Sequence, residues 1–403
     1  MDKIYQKRPY YMEKITPFIG VNLIKVLVGQ RRVGKSYILL QLMDEIRNND
    51  KRANIIYINK EDNEFVFIED YSDLITYAEK HVSKKANNYL FIDEIQDIKN
   101  FEKALRHFFS KKTLDIYCTG SNARLLSSEI ATGLSGRYIE IPIHALSYQE
   151  FLQFHNLKSG EESLEKYIRY GGLPFLINLE LKDDIVYNYL QSIYGSIILK
   201  DVVARFQIRN VNFLNRLLEY LADNIGSLIS ANRISDFLKS KKIKTTPNIA
   251  LNYLSYLSSS FVIHEVNRID IRGKKIFEIN EKYYWEDLGL RNSLVGYKSN
   301  DIGQMLENLV FSHLLHLGFK IHIGQLENKE IDFVVGKEGK KMYVQVAYLI
   351  NDKATRDREF GNLLSISDNY KKVVVSMDKI TGDDYKGIQH LNILDFLAYG
   401  TNF

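Results

Sequence analysis

The residues with the types and spacing to do chemistry begin at Gly29. Gly29-Gln30-Arg31-Arg32-Val33-Gly34-Lys35-Ser36 fits the phosphate-binding pattern G-x-x-x-x-G-K-[ST]. Gly29 and Gly34 let the backbone turn and approach phosphate oxygens. The loop N–H groups and the positive end of a following helix favour an anion. Lys35 adds a point charge for terminal phosphates, and the Ser36 hydroxyl can hold Mg²⁺. A second set follows the apolar run Tyr89-Leu90-Phe91-Ile92. There Asp93 can hold the same ion through water, and Glu94 can orient or deprotonate an attacking water. The bland alternatives are a basic surface turn and an acid pair at a strand end.

These residues need elements to position them. Ile24–Val28 reads as a buried strand leading into the loop, and the residues from Tyr37 as the helix leaving it. Further strands are expected at Asn54–Asn59, Tyr89–Ile95, Leu114–Cys118 and Tyr138–Ile143, with helices near 71–84, 100–110 and 123–134. Strands alternating with helices predict a parallel α/β sheet with its ligand at the carboxyl ends of the strands.

GQRRVGKS, LFIDEIQ and TGSNARLL together resemble the Walker A, Walker B and sensor-1 segments of AAA+-like P-loop ATPases. The extra strand at 55–58 between Walker A and Walker B strengthens the resemblance. It implies ATP and Mg²⁺ as ligands. It also implies a water-positioning role for Asn122, or Ser121 beside it, and an arginine finger at Arg137. A finger acting in trans requires a homo-oligomer.

Composition sets the bounds. The chain has 403 residues, 45% hydrophobic and 26% charged, with net charge +4. That describes a globular protein of several domains whose mild basicity permits nucleic-acid contact without arguing for it. One cysteine, Cys118, excludes an internal disulfide and a multi-cysteine zinc site. The charged start is no signal peptide, and no run approaches the ~18 apolar residues of a membrane span, so a cytoplasmic location is expected.

The expected organisation is an ATPase core at 1–145, a helical lid at 146–205, a winged-helix domain at 206–298 and a nuclease-like domain at 299–403. Ser147-Tyr148-Gln149-Glu150 is a capping box opening the lid. A second nucleotide-sensing arginine could be Arg205 or Arg209; spacing selects neither. Helices near 211–224, 230–240 and 247–259 precede a hairpin turning at Arg272-Gly273-Lys274, an order similar to a winged helix. Asn248, Asn252, Ser255 and Ser259 share a face of the third helix, and four lysines lie within 239–244. Double-stranded DNA and a protein are therefore both candidate partners.

The C-terminal segment resembles the restriction-endonuclease-like PD-(D/E)xK fold. Glu307 and Asp332 fit its order, Gln345 replaces its second acid and Ala347 stands at its lysine position. Lys340 or Lys341 could substitute from the preceding turn, but the expectation is a scaffold without nuclease chemistry. His313 and His316 read as structural. The function expected is an ATP-hydrolysing switch or motor acting on DNA or a DNA-bound partner. A nucleotide-dependent signalling scaffold and an ATPase-coupled, Mg²⁺-dependent nuclease are the alternatives.

Overall fold

In a computed structural model of the chain, which describes residues 5–123, 134–273, 276–350, 352–379 and 384–398, the apolar run Ile24–Val28 forms β1. It lies in a five-stranded sheet of order β2-β3-β4-β1-β5, with β2 Asn54–Asn59, β3 Asn88–Asp93, β4 Asp115–Gly120 and β5 Tyr138–Pro142. Every pairing in it is parallel. β1 is buried along its whole length, as a strand covered on both faces must be. Its one charge, Lys25, pairs with Asp115 and donates to the Val21 carbonyl at 2.7 Å. Helices α1 Pro9–Ile15, α2 Lys35–Asn49, α3 Tyr71–Lys80 and α4 Phe101–Lys111 belong to the same unit, which comprises Met1–His144 and Ser259–Phe261. The α3 start is fixed by a reciprocal capping box between Asp70 and Asp73. The helix expected at 123–134 lies almost wholly outside the described residues.

The second unit comprises Ala145–Ser258 and Val262–Phe403. It opens with α5 Tyr148–His155, whose start carries the Ser147/Glu150 capping box read from sequence. α6 Glu161–Tyr170 and α7 Asp183–Ser196 follow, and α7 runs on into a π-helix over Ile197–Ala204. Then come α8 Val211–Asp223, β6 Leu228–Ile229, α9 Ala231–Ser240, α10 Pro247–Ser259, β7 Ile263–Asp270, β8 Ile276–Trp285 and α11 Leu288–Val295. The last stretch is α12 Ile302–His316, β9 Lys320–Leu326, β10 Lys329–Lys337, β11 Lys340–Val346, α13 Lys353–Leu364, β12 Lys371–Ser376, β13 Gln389–Asn392 and α14 Ile393–Ala398.

All these strands make one eight-stranded sheet, β13-β12-β11-β10-β9-β7-β8-β6. β9–β10–β11 are antiparallel and β11–β12–β13 parallel. The hairpin β7–β8 joins this sheet through a parallel pairing of Arg268, Ile269 and Asp270 with Ile323, Gly324 and Gln325 of β9. Strands from 206–298 and from 299–403 thus share a sheet that the sequence reading divided.

The Gly171-Gly172 interruption also has a physical cause. A Cβ on Gly171 would come 2.3 Å from Asp287 Oδ1, and one on Gly289 would come 2.0 Å from the Tyr170 carbonyl oxygen. Only glycines allow the end of α6 to meet the start of α11 so closely. Asp287, fully enclosed there, caps α11 and accepts the Gly172 N–H at 2.7 Å.

Candidate functional site

The loop Gly29–Ser36 leaves the carboxyl end of β1, and the elements around it explain its shape. Gly29 has φ 156°, and a Cβ there would come 2.1 Å from the Ile143 carbonyl oxygen, so only glycine fits. Gly34 is left-handed at φ 98° and caps α2, which aims its first N–H groups at the loop's interior. Arg32 is also left-handed, at φ 73°, and exposed. Several side chains of the motif are committed elsewhere. Val33 is buried, Gln30 Nε2 donates to the Phe261 carbonyl at 3.1 Å, and Arg31 pairs with Glu61 at 2.6 Å. Gln30, Arg31 and Val33 are therefore left with their backbone N–H groups to offer a phosphate. The Lys35 ammonium lies along the loop, donating to the Gly29 and Gln30 carbonyls at 3.0 and 2.9 Å.

β3 ends at Asp93, two residues before the expected limit, because Glu94 turns left-handed at φ 57°. That turn keeps both acids buried at the sheet's carboxyl edge. Asp93 hydrogen-bonds the Ser36 hydroxyl and accepts from Thr119 Oγ1 at 2.5 Å; Thr119 in turn accepts the Glu94 N–H at 2.9 Å. Burial raises the Asp93 pKa, opposed by the hydrogen bonds from Thr119 and Ser36. Ser36 and Asp93 thus present adjoining oxygens beside Lys35. This donor set suits a hard cation that keeps much of its water, and the residues fit a magnesium-bound nucleotide.

Asn122 lies at the same edge. The strand that it follows, β4, pairs Gly120 with Val28, the residue before the loop. Arg137 does not. Its carbonyl accepts the Ile24 N–H at 2.9 Å, at the amino end of β1, and its guanidinium lies 5.5 Å from the centre of the Phe109 ring. The five residues of β1 separate it from its own loop by about 16 Å at ~3.3 Å per residue. In this structure Arg137 stands away from its own loop.

The sequence reading gave no role to several neighbours of these residues. Gln96 Nε2 donates to Glu94 Oε2, and its Oε1 is buried without a hydrogen-bond partner. Tyr57 on β2 donates to Asp93 at 3.4 Å. Arg8, only 2% exposed, donates to the Val33 carbonyl at 2.9 Å and the His144 carbonyl at 3.0 Å, bracing the loop from behind. Gln96 and Thr119 stand inside the quoted motifs. Arg8 and Tyr57 carry no local signal, because their partners lie 25 and 36 positions away.

An uncharacterized protein of Haemophilus influenzae is 36% identical over 405 residues, covering 98% of this chain and 100% of its own. One of Methanocaldococcus jannaschii is 32% identical over 394 residues, covering 93% and 85%. The chain belongs to their family. Within it, residues 21–152 match the family model of an AAA domain and residues 161–301 a domain of unknown function, DUF8612. The family is therefore AAA+-like and of ATPase type, with nucleotide and Mg²⁺ as its implied ligands. In fold the chain is similar to a Walker-type ATPase of Pyrococcus abyssi, with TM-score 0.47 at 16% identity over 73% of this chain and 97% of that one. No helix among the described residues is long and apolar enough to cross a membrane.

Proposed function

We propose that this protein hydrolyses ATP and uses the cycle as a switch acting on DNA or a DNA-bound partner. The observation that carries the hydrolytic part is the Ser36–Asp93–Thr119–Glu94 chain of hydrogen bonds beside Lys35. Backbone N–H groups of 30–36 and the Lys35 ammonium hold the phosphates. Ser36 and Asp93 would hold Mg²⁺, which would supply charge neutralisation at the phosphates. Glu94 orients the attacking water and takes its proton, while Asn122 hydrogen-bonds that water near the terminal phosphate. Arg137 reaches the phosphate of a neighbouring copy. The test is steady-state hydrolysis by the full chain: Lys35→Ala is expected to lose hydrolysis and nucleotide affinity, and a variant as active as the parent would sink the claim.

The order α8-β6-α9-α10-β7-β8, with β6 antiparallel to β8, supports a winged-helix reading of 206–298. Asn248, Asn252 and Lys239, Lys241, Lys242 and Lys244 are exposed there. Ser259 is buried and drops out of the face read from sequence. One observation favours a protein partner instead: Ile249 and Leu251 stand 40% and 47% exposed between the two asparagines. Neutralising the four lysines decides between them. A fall in duplex-DNA affinity and in the salt slope supports DNA, and unchanged affinity across salt concentrations supports protein.

A further inference from the structure

Neither Lys340 nor Lys341 is recorded in an ion pair with Glu307, Glu330 or Asp332. Lys340 is exposed, and Lys341 lies 3.9 Å from Asp368. The ammonium among those acids comes from β8. Lys282, with its side chain 4% exposed, is 2.9 Å from Glu307 on α12 and 2.7 Å from Glu330 on β10. Tyr284, on the same face of β8, donates to the same Glu307 oxygen at 2.6 Å. Asp332, two residues along β10, accepts the Val346 N–H at 2.8 Å. Burial and the charges of Glu307 and Glu330 push the Asp332 carboxyl far above its usual range, and Lys282 opposes them.

We propose that Lys282 is the resident cation of this cluster. Its ammonium stands where a divalent ion would sit, so the acids work as an ionic lock joining the hairpin, α12 and β10, and they bind no metal. Access and charge both support this. The cluster's exposure falls mainly on Glu330, at 35%, whereas Asp332 is 7% exposed. The second oxygen of Glu307 lies against Gly226, where even a Cβ would come within 3.2 Å. A phosphodiester with its metal ion cannot reach acids enclosed in this way. One ammonium also matches the partners in reach: Lys282 touches both Glu307 and Glu330, while burial favours the neutral form of the Asp332 carboxyl. The second acid a metal would need is an amide, Gln345, whose Oε1 accepts the Asp332 N–H at 3.4 Å. This inference stands apart from the ATPase reading and survives its failure.

The test is a Mn²⁺ titration of the full chain without nucleotide, read by electron paramagnetic resonance. The parent and Asp332→Asn are expected to bind the same number of ions. Lys282→Met, its fold checked by circular dichroism, is expected to gain about one site, which Lys282→Met with Asp332→Asn loses. Loss of an ion from the parent on Asp332→Asn would overturn the inference, as would a folded Lys282→Met that gains none. Should Lys282→Met fail to fold, the comparison of the parent with Asp332→Asn decides alone. Mn²⁺-dependent DNA cleavage by the parent that Asp332→Asn abolishes would overturn it equally.

Discussion

Glu94 carries the chemistry of the proposed reaction, but its aim is set by others. Its backbone is turned left-handed, its N–H is held by Thr119, and its carboxylate accepts from Gln96. A general base contributes ~10²–10⁴ in rate, so Glu94→Gln should lower kcat by about that factor while nucleotide binding persists. Gln96→Ala leaves the base present but unrestrained. Its expected effect is about a tenfold fall in kcat with KM unchanged, and partial recovery in Gln96→Asn. A rise in KM with constant kcat would instead make Gln96 a binding residue.

At the scale of elements, Asp287 ties α6 to α11. Burial pushes its carboxyl up to about 6 from an ordinary value of 3.8, against the hydrogen bonds that it accepts from backbone N–H groups. The folded protein then binds this proton more tightly than the unfolded chain does. Its contribution to stability is present in full below pH 4, declines as pH rises through 6 and is level above that. For a shift of this size the loss is of the order of 2–3 kcal/mol. Asp287→Asn should remove that part of the slope, so melting curves of parent and variant should diverge between about pH 4 and 6.

How legible these elements are depends on how local their causes are. Asn54–Asn59 and the Ser147-x-x-Glu150 cap are readable because alternation and capping act within a few residues. The end of β3 at Asp93 was missed because a left-handed Glu94 has no marker in the sequence. The Gly172–Asp287 contact spans 115 positions and the Lys282–Glu307 pair spans 25, so no window of local pattern contains both partners. The nucleotide site is legible for the opposite reason: its chemistry concentrates in short motifs at strand ends.

At the scale of the whole molecule, Arg137 lies at the amino edge of its sheet, and the role proposed for it in trans would make hydrolysis a property of assemblies. Removing a finger that acts in trans costs ~10³–10⁵ in rate. Arg137→Ala alone should therefore be nearly inactive, as should Lys35→Ala. Mixed together, they should regain activity, because an intact loop from one variant can meet an intact arginine from the other. Mixtures no more active than the sum of the two would exclude this geometry.

The pairing of β7 with β9 has a consequence for how the polypeptide can be divided. A chain beginning at residue 299 would keep α12 and the strands from β9 onward, yet lose Arg268–Asp270, the pairing partners of residues 323–325. Residues 323–325 would then present unsatisfied N–H and C=O groups along a raw sheet edge, a template for pairing between chains. That fragment should self-associate in size-exclusion chromatography, whereas one beginning at 206 should remain dispersed. The smallest heritable piece of this second unit is then larger than either segment that the sequence marks out: an exchange of the C-terminal hundred residues between relatives must carry the hairpin with it.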